Sequence, residues 1–455
     1  MENSIAKSFT FSSLIKFTMP SVVMLIFLAL YTIVDGVFIS RFVSTDALSA
    51  FNIIYPFINV VIAIGVMLAT GSSAVIAKKL GEGKEREAKE NFTLIMLVGL
   101  ALGIIITVIG FVFCKQIIRV LGSTKELDKY CIDYFYVALI FMPTYITNLL
   151  FQYLTITSGK PNIGLIFTVI GGLTNIILDY VFIVPMGMGI SGAALATGIG
   201  NFIPTALGTI YFFRKKAILY FVKPKLDMKM IMQTCANGSS EMVTNLSSGV
   251  TTMLFNIVIM KYLGSDGVAA ISIVLYGQFL ITSVYIGFSS GVAPIISYNY
   301  GSENKKELKK VTRYSARFIL ISSVILLIIA LTTATYIVSV FTPKGTNVYE
   351  IGYNGFRIFS ISFLVSGVNI FASAMFTAFS NGKVSATISF LRTFLFIVAG
   401  ILILPKLIGI NGIWLAVPVA ELLTIIISLI YINKYKGIYG YGKEKSESYK
   451  DLKEF

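Results

Sequence analysis

The sequence predicts an all-α polytopic membrane protein with twelve transmembrane helices in two six-helix lobes. Hydrophobic residues make up 56% of the 455 residues and charged residues 13%, which is about half the charged share of soluble domains. Stretches of about 20 apolar residues cross the ~30 Å hydrocarbon core of a bilayer as helices. The chain has twelve such stretches, at residues 14–39, 47–77, 92–113, 130–157, 162–184, 190–213, 230–260, 267–296, 315–340, 349–379, 384–405 and 411–433.

The division into two lobes follows from an internal repeat at an offset of 220 residues. Gly71 lies over Gly291 at this offset, and residues 189–192 lie over residues 409–412. Six spans per half is an even number, so the halves have the same orientation and form a parallel repeat about an axis along the membrane normal. We expect an N-lobe over residues 1–213, a cytoplasmic linker over 214–229, a C-lobe over 230–433 and a cytoplasmic polar tail over 434–455.

The net charge of +15 is distributed as a topology determinant. Most of the 37 Lys and Arg residues lie in the two terminal segments and in the loops on the same side of the membrane. This excess predicts cytoplasmic termini, with some attraction to anionic lipid, and we expect no nucleic-acid partner. The first span runs past signal-peptide length into Asp35, so we expect no cleaved signal. Three cysteines without metal spacing and the absence of histidine predict neither a disulfide framework nor a zinc site.

Two acids lie within apolar spans of the first half. Asn175 and Asp179 are four residues apart and therefore share one face of a helix, while Asp35 lies near the end of the first span. A charged Asp near the bilayer centre costs roughly 2.5–3.5 kcal/mol on insertion scales, so it usually faces a protein interior or a wet cavity. The residues alone leave both a functional site and a buried structural pair open.

Two further acids, Glu241 and Glu421, lie in spans seven and twelve. They either attract a cationic substrate or bind protons, or else they pair with Arg357 or Arg392, and the sequence leaves these interpretations open. The acids break the repeat, which suggests that the lobes have different roles. Other polar residues within spans either line a substrate pathway or bond to neighbouring helices: Asn148, Gln152, Tyr153, Tyr276 and Gln278.

The order and spacing of several motifs resemble the multidrug and toxic compound extrusion (MATE) family, in its MepA-like branch. Pro20 occupies the position of the family's bending proline in helix one, and residues 34–40 (Val-Asp-Gly-Val-Phe-Ile-Ser) resemble its helix-one acidic motif. The stretch 412–421 (Gly-Ile-Trp-Leu-Ala-Val-Pro-Val-Ala-Glu) resembles the end of that branch. Thr32 departs from the family, because many members carry Asn at this position, and so does the sequence Gly-Ser-Ser-Glu at 238–241.

The resemblance implies a secondary active antiporter that exports amphipathic, often cationic compounds in exchange for Na⁺ or H⁺ by alternating access. It implies that Asp35, Asn175, Asp179 and Thr197 form the cation site, with no other cofactor. It also implies a multi-pass protein of the bacterial cell membrane, which we expect to act as a monomer. Residues 158–160 (Ser-Gly-Lys) lack the upstream glycine of a phosphate-binding loop, so the sequence predicts an electrochemical gradient rather than ATP as the energy source.

A lipid-linked precursor or polysaccharide flippase of related architecture is the alternative. Such a protein favours a cationic cavity for a pyrophosphate, whereas the intramembrane acids here outnumber the intramembrane arginines, Arg357 and Arg392. An embedded enzyme is not expected, because the chain lacks a nucleophile–base or metal-ligand pattern in its spans.

Overall fold

A computed structural model describes residues 4–38, 42–215 and 217–442 of the chain. Within these ranges the regular structure is entirely helical. Residues 443–455 of the predicted polar tail lie outside the described residues, as do Ile39 and Ser40 of the helix-one motif.

The first lobe contains eight helices. The predicted span 130–157 is divided between two of them, which meet at a 54° bend, because Pro143 begins a new helix rather than continuing the previous one. Helix α1 continues through Pro20 as a single element. The helices are α1 (Phe11–Phe38), α2 (Thr45–Gly81), α3 (Glu85–Val112), α4 (Cys114–Val120), α5 (Asp128–Ile140), α6 (Met142–Thr157), α7 (Pro161–Ile183) and α8 (Gly189–Phe213).

The second lobe begins with a 74-residue helical run that holds spans seven and eight. Its two parts join at Gly264, whose φ of 63° lies in the left-handed region that glycine adopts readily. A 3₁₀ turn (Ser360–Ser362) and a π-helical segment (Leu391–Leu395) interrupt spans ten and eleven. The helices are α9 (Met228–Gly301), α10 (Lys305–Phe341), α11 (Asn347–Phe359), α12 (Phe363–Ala378), α13 (Gly382–Phe390), α14 (Phe396–Ile408) and α15 (Ile410–Tyr435).

The predicted twelve-helix, two-lobe fold is confirmed. In the described ranges, ten helical segments are long and apolar enough to cross a membrane, and the bent α5–α6 pair adds one. The two parts of α9 raise the number of spans to twelve. Some helices extend beyond their predicted spans: α10 begins at Lys305, ahead of the 315–340 span, because the Asn304 side chain caps it by accepting from the Glu307 N–H at 3.1 Å.

Both lobes begin and end at the same end of the bundle, which we call the terminal face. The backbone N–H of Phe9, just before α1, donates to Glu307 at the start of α10 (2.7 Å). The Asn381 side chain, between α12 and α13, donates to the hydroxyl of Tyr439 beyond α15 (2.9 Å). Burial raises the pKa of Tyr439 to about 12, so this hydroxyl stays protonated and neutral in its contact.

Glycines allow the two lobes to pack closely near the terminal face. A Cβ added at Gly71 on α2 would overlap the Thr234 carbonyl on α9, and one added at Gly238 would overlap the Met67 carbonyl. Gly291, the repeat counterpart of Gly71, packs against Thr18 of α1 in the same way. Further along the bundle, the Asn59 side chain donates to the Asn245 carbonyl across the lobe boundary (3.0 Å). The terminal half of the boundary is therefore closed.

Candidate functional site

Helix α7 supplies the centre of the candidate site in the N-lobe. Asn175 and Asp179 are 3% and 0% exposed, respectively, on one face of this helix. Glycines one turn earlier let the neighbouring helices approach: Gly171 packs against Pro204 of α8, and Gly172 packs against the Tyr31 ring of α1. Because both neighbours come close, side chains from three helices reach one point inside the lobe.

The structure brings together all four residues predicted for the N-lobe site. The Asn175 amide donates to the Thr197 hydroxyl of α8 at 3.3 Å, and the Asp35 carboxyl of α1 faces the Asp179 carboxyl. The site therefore combines two carboxyl groups, one amide and one hydroxyl, all of which present oxygen atoms.

Four buried oxygen atoms at this point accept no hydrogen bond from the described residues. They are Oδ1 of Asp35, Oδ1 of Asn175 and both carboxylate oxygens of Asp179. Leaving a buried acceptor unpaired costs about 1–3 kcal/mol, and more when it is charged. Carboxylate, amide and hydroxyl oxygens are the ligands that hard cations take in proteins. Chemically, the arrangement can accept a cation or protons in its centre.

A chain of amides extends this site deeper into the lobe. Asn201 on α8 donates to the Thr197 carbonyl (2.9 Å), and its side-chain oxygen accepts from Asn148 on α6 (2.9 Å). Asn148, a predicted pathway residue, thus forms a buried interhelical hydrogen bond. Asn201 was not predicted as a site residue, although its position four residues after Thr197 on one helix face could have indicated it.

The C-lobe holds a buried ion pair. Glu421 on α15 is 3% exposed, and its carboxylate accepts from Arg392 at 2.8 Å and from Asn369 at 2.7 Å. Ser428 donates in turn to Asn369 (2.8 Å). Of the two arginines left open by the sequence, Arg392 is the partner, while Arg357 is exposed and lies over the ring of Tyr353, with 5.6 Å between its guanidinium carbon and the ring centroid.

The second C-lobe acid, Glu241, is half-buried on α9. It lies within the electrostatic influence of Arg392 and beside the hydroxyl of Tyr153 from the N-lobe. Among the other predicted pathway residues, Gln152 is buried, Gln278 is half-buried, and Tyr276 is 42% exposed. Glu241 and Tyr153 therefore meet at the boundary between the lobes.

A parallel pair of six-helix lobes with ionisable groups buried within its spans defines a polytopic secondary transporter. The MatE family model matches residues 20–181 and 242–402, one stretch in each half of the chain. The chain belongs to this MATE family of membrane transporters, as its motifs predicted.

Individual relatives agree with this assignment. The chain is 24% identical over 429 residues to the multidrug export protein MepA of Staphylococcus aureus strain bovine RF122 / ET3-1, with 94% of each chain covered. Among solved structures, a MATE in the straight conformation superposes with a TM-score of 0.89 at 19% identity, covering 95% of this chain and 97% of that one. The outward-facing conformation of a multidrug resistance MATE family transporter superposes equally well, with the same TM-score of 0.89, the same 19% identity and coverage of 95% and 97%.

Proposed function

We propose that this protein is a secondary active efflux antiporter that exports amphipathic, often cationic drugs in exchange for Na⁺ or H⁺. Membership of the MATE family and the naming of its relatives as multidrug export proteins support drug efflux. The four unpaired acceptor oxygens of the N-lobe site carry the proposal of ion coupling.

The coupling step follows from the charge of the N-lobe site. Asp35 and Asp179 cannot both stay ionised in a dry site without a compensating charge. A bound sodium ion or a shared proton removes this repulsion, and the residues fit both. An ion that binds one arrangement of the lobes better than the other shifts the population toward it. Pro20 lacks an N–H, so α1 can bend at this point with little loss of hydrogen bonding.

We also propose an orientation and a location. The excess of Lys and Arg on the terminal face is typical of a cytoplasmic surface, which makes the closed half of the lobe boundary the cytoplasmic one. In this arrangement the drug leaves on the opposite side. The protein then acts as a monomer in the bacterial inner membrane, since each lobe boundary lies within one chain.

The charges in the C-lobe favour a cationic cargo over a lipid-linked pyrophosphate. Arg392 is neutralised by Glu421, and Arg357 is exposed beside Tyr353, so neither offers a free positive charge at the lobe boundary. Glu241, by contrast, has no hydrogen-bond donor among the described side chains whose bonds are resolved. A boundary with an unpaired acid attracts cations.

Ethidium efflux from proteoliposomes provides the test. We expect efflux when either a sodium gradient or a pH gradient is imposed, and the gradient that works identifies the coupling ion. The variant Asp46→Asn, at an exposed acid at the start of α2, provides a control for acids outside the site. The absence of ethidium efflux under both gradients, together with flipping of a pyrophosphate lipid, would contradict the proposal.

A further inference from the structure

A continuous chain of buried hydroxyl groups runs through the C-lobe between α12 and α13. The Thr377 hydroxyl lies 2.8 Å from that of Ser385. The Ser385 hydroxyl lies 2.9 Å from that of Ser373, which lies 2.9 Å from that of Ser389. At the other end, Ser240 of α9 lies 3.3 Å from Thr377. All five side chains are at most 5% exposed.

This chain joins the terminal face to the Glu421 ion pair. Thr377 lies in the last turn of α12, one turn from the exposed Ser380. At the inner end, Ser373 lies one turn from Asn369, which donates to Glu421, and Ser389 lies one turn from Arg392. Residues one turn apart on a helix are neighbours, so a single water molecule can bridge from Ser373 to the carboxylate.

The N-lobe lacks the same chain, although it shares the fold. At the offset that lays residues 158–160 over 381–383, the counterparts of Ser389 and Arg392 are Ile166 and Val169. Hydroxyls needed only to hold the helices together would be expected in both lobes. Arg392 also lies in a π-helical segment, a feature frequent at functional sites.

We propose that the hydroxyl chain carries protons between the terminal face and Glu421, and that protonation of Glu421 transfers the charge of Arg392 to Glu241. This makes the C-lobe a second coupling site, specific for protons, whichever ion the N-lobe binds. It rests on the proposed function only in using Glu241 as the site for a cationic drug.

Each step conserves protons and charge. Water at the terminal face gives a proton to Thr377, and each hydroxyl accepts one proton and passes on its own, so every hydroxyl ends unchanged. The bridging water delivers the proton to the Glu421 carboxylate. Glu241, Arg392 and Glu421 then change from a net charge of −1 to zero, and the freed guanidinium competes with a drug cation for Glu241.

No other charged group in the described ranges contacts Glu421. Helix α12 supplies only the Asn369 amide, and α9 supplies the Tyr285 hydroxyl, which donates to the Phe363 carbonyl (2.8 Å). On α11, Arg357 is turned to Tyr353. The lysines of α13, α14 and α15 (Lys383, Lys406 and Lys434) are all exposed. Arg392 is thus the one counter-charge that Glu421 can release.

Proton release on ethidium binding, followed by stopped flow in weakly buffered, sodium-free detergent, tests the proposal. The Asp35→Asn/Asp179→Asn background removes the N-lobe contribution. We expect Glu421→Gln to abolish the released amount and Ser385→Ala to slow release about 100-fold, as when a positioned proton-transfer group is lost. Ser385→Thr, which keeps the hydroxyl, should restore the rate.

Ser315→Ala is the matched control, because this buried serine bonds only to its own helix, at the Val311 carbonyl (2.9 Å). Equal rates in Ser385→Ala and Ser315→Ala, or an amount that survives Glu421→Gln, would overturn the proposal, as would failure of ethidium to bind. The proposed efflux function is assessed separately in proteoliposomes, so either idea can fail alone.

Discussion

The two lobes make the same interhelical contact with different chemistry. In the N-lobe, Asn148 of α6 donates to Asn201 of α8. In the C-lobe, Asn369 of α12 donates to Glu421 of α15, and Glu421 lies over Asn201 at the repeat offset of 220 residues. One amide of the pair is therefore a carboxylate in the C-lobe, and Arg392 supplies the charge that this carboxylate needs.

The comparison shows two ways to hold acids inside a membrane. The C-lobe carries its own cation, so Glu421 is fully bonded. The N-lobe holds Asp35 and Asp179 without any basic side chain, and its acceptor oxygens stay unpaired. A site that lacks a cation must take one from solution, whereas a site with an internal ion pair is stable without one. The N-lobe is thus suited to ion exchange, and the C-lobe to charge transfer between its own residues.

The largest effect should come from removing an N-lobe acid. We expect Asp35→Asn and Asp179→Asn each to abolish ion-driven ethidium efflux, because the site loses a charge that the coupling ion must balance. Thermal unfolding should occur at the same or a higher temperature, since an unpaired buried carboxylate is costly. Asp46→Asn should change neither property. Retained efflux in either site variant would show that coupling occurs elsewhere.

Breaking the C-lobe pair should have the opposite effect on stability. Arg392→Gln leaves Glu421 charged and buried, which typically costs about 3–5 kcal/mol. Chemical unfolding should therefore reveal a large loss, which the further change Glu421→Gln should largely recover. Arg357→Gln, at an exposed arginine in a neighbouring span, is the matched control. Equal stability of the two arginine variants would mean that the ion pair contributes little.

The sequence was sufficient for the fold and for the N-lobe site. Twelve apolar stretches fix the number of spans, and a helix places Asn175 beside Asp179 by its period alone. The partner of Glu421 could not be predicted, because Arg357 and Arg392 both lie within spans and sequence spacing does not orient them. The direction of Arg392 depends on packing around a π-helical segment. The break between α5 and α6 carried a signal in Pro143 that a single predicted span did not use.

The identity of the coupling ion sharpens the comparison further. Asn175→Ala and Thr197→Ala each remove one oxygen ligand but leave both carboxylates. Under sodium coupling we expect roughly a tenfold loss of sodium-driven efflux, equivalent to about 1.4 kcal/mol. Under proton coupling the effect should be small, because the carboxylates alone can bind the proton. Wild-type efflux driven by a pH gradient, in the strict absence of sodium, would eliminate obligatory sodium coupling.

The closed terminal half of the lobe boundary gives a smaller effect. Gly71→Ala places a Cβ against the Thr234 carbonyl, and overpacking of this kind costs about 1–3 kcal/mol. The closed arrangement should become less populated, and the half-buried Cys235 beside Thr234 should react faster with a maleimide. Gly437→Ala, where an added Cβ meets no atom within 4 Å, is the control. Unchanged labelling would mean that α2 and α9 adjust without opening.

The smallest effect concerns two acids that lie over each other at the repeat offset. Glu307 of the C-lobe accepts from the Phe9 N–H at 2.7 Å and from Ser8 at 3.0 Å, so it holds the start of the N-lobe across the boundary. Its counterpart Glu87 pairs with Lys79 inside its own lobe (2.7 Å), and with half of its side chain exposed this pair is screened by solvent.

We expect Glu307→Gln to weaken the closed state by about 1 kcal/mol, the usual contribution of one hydrogen bond to a charged group or slightly less. Glu87→Gln should leave the closed state unchanged, because Glu87 does not cross the boundary. Cys235 labelling measures both, and the Glu307 effect should persist at high salt, since the backbone N–H of Phe9 carries no net charge to screen. Equal labelling of the two variants would show that the contact before α1 does not stabilise closure.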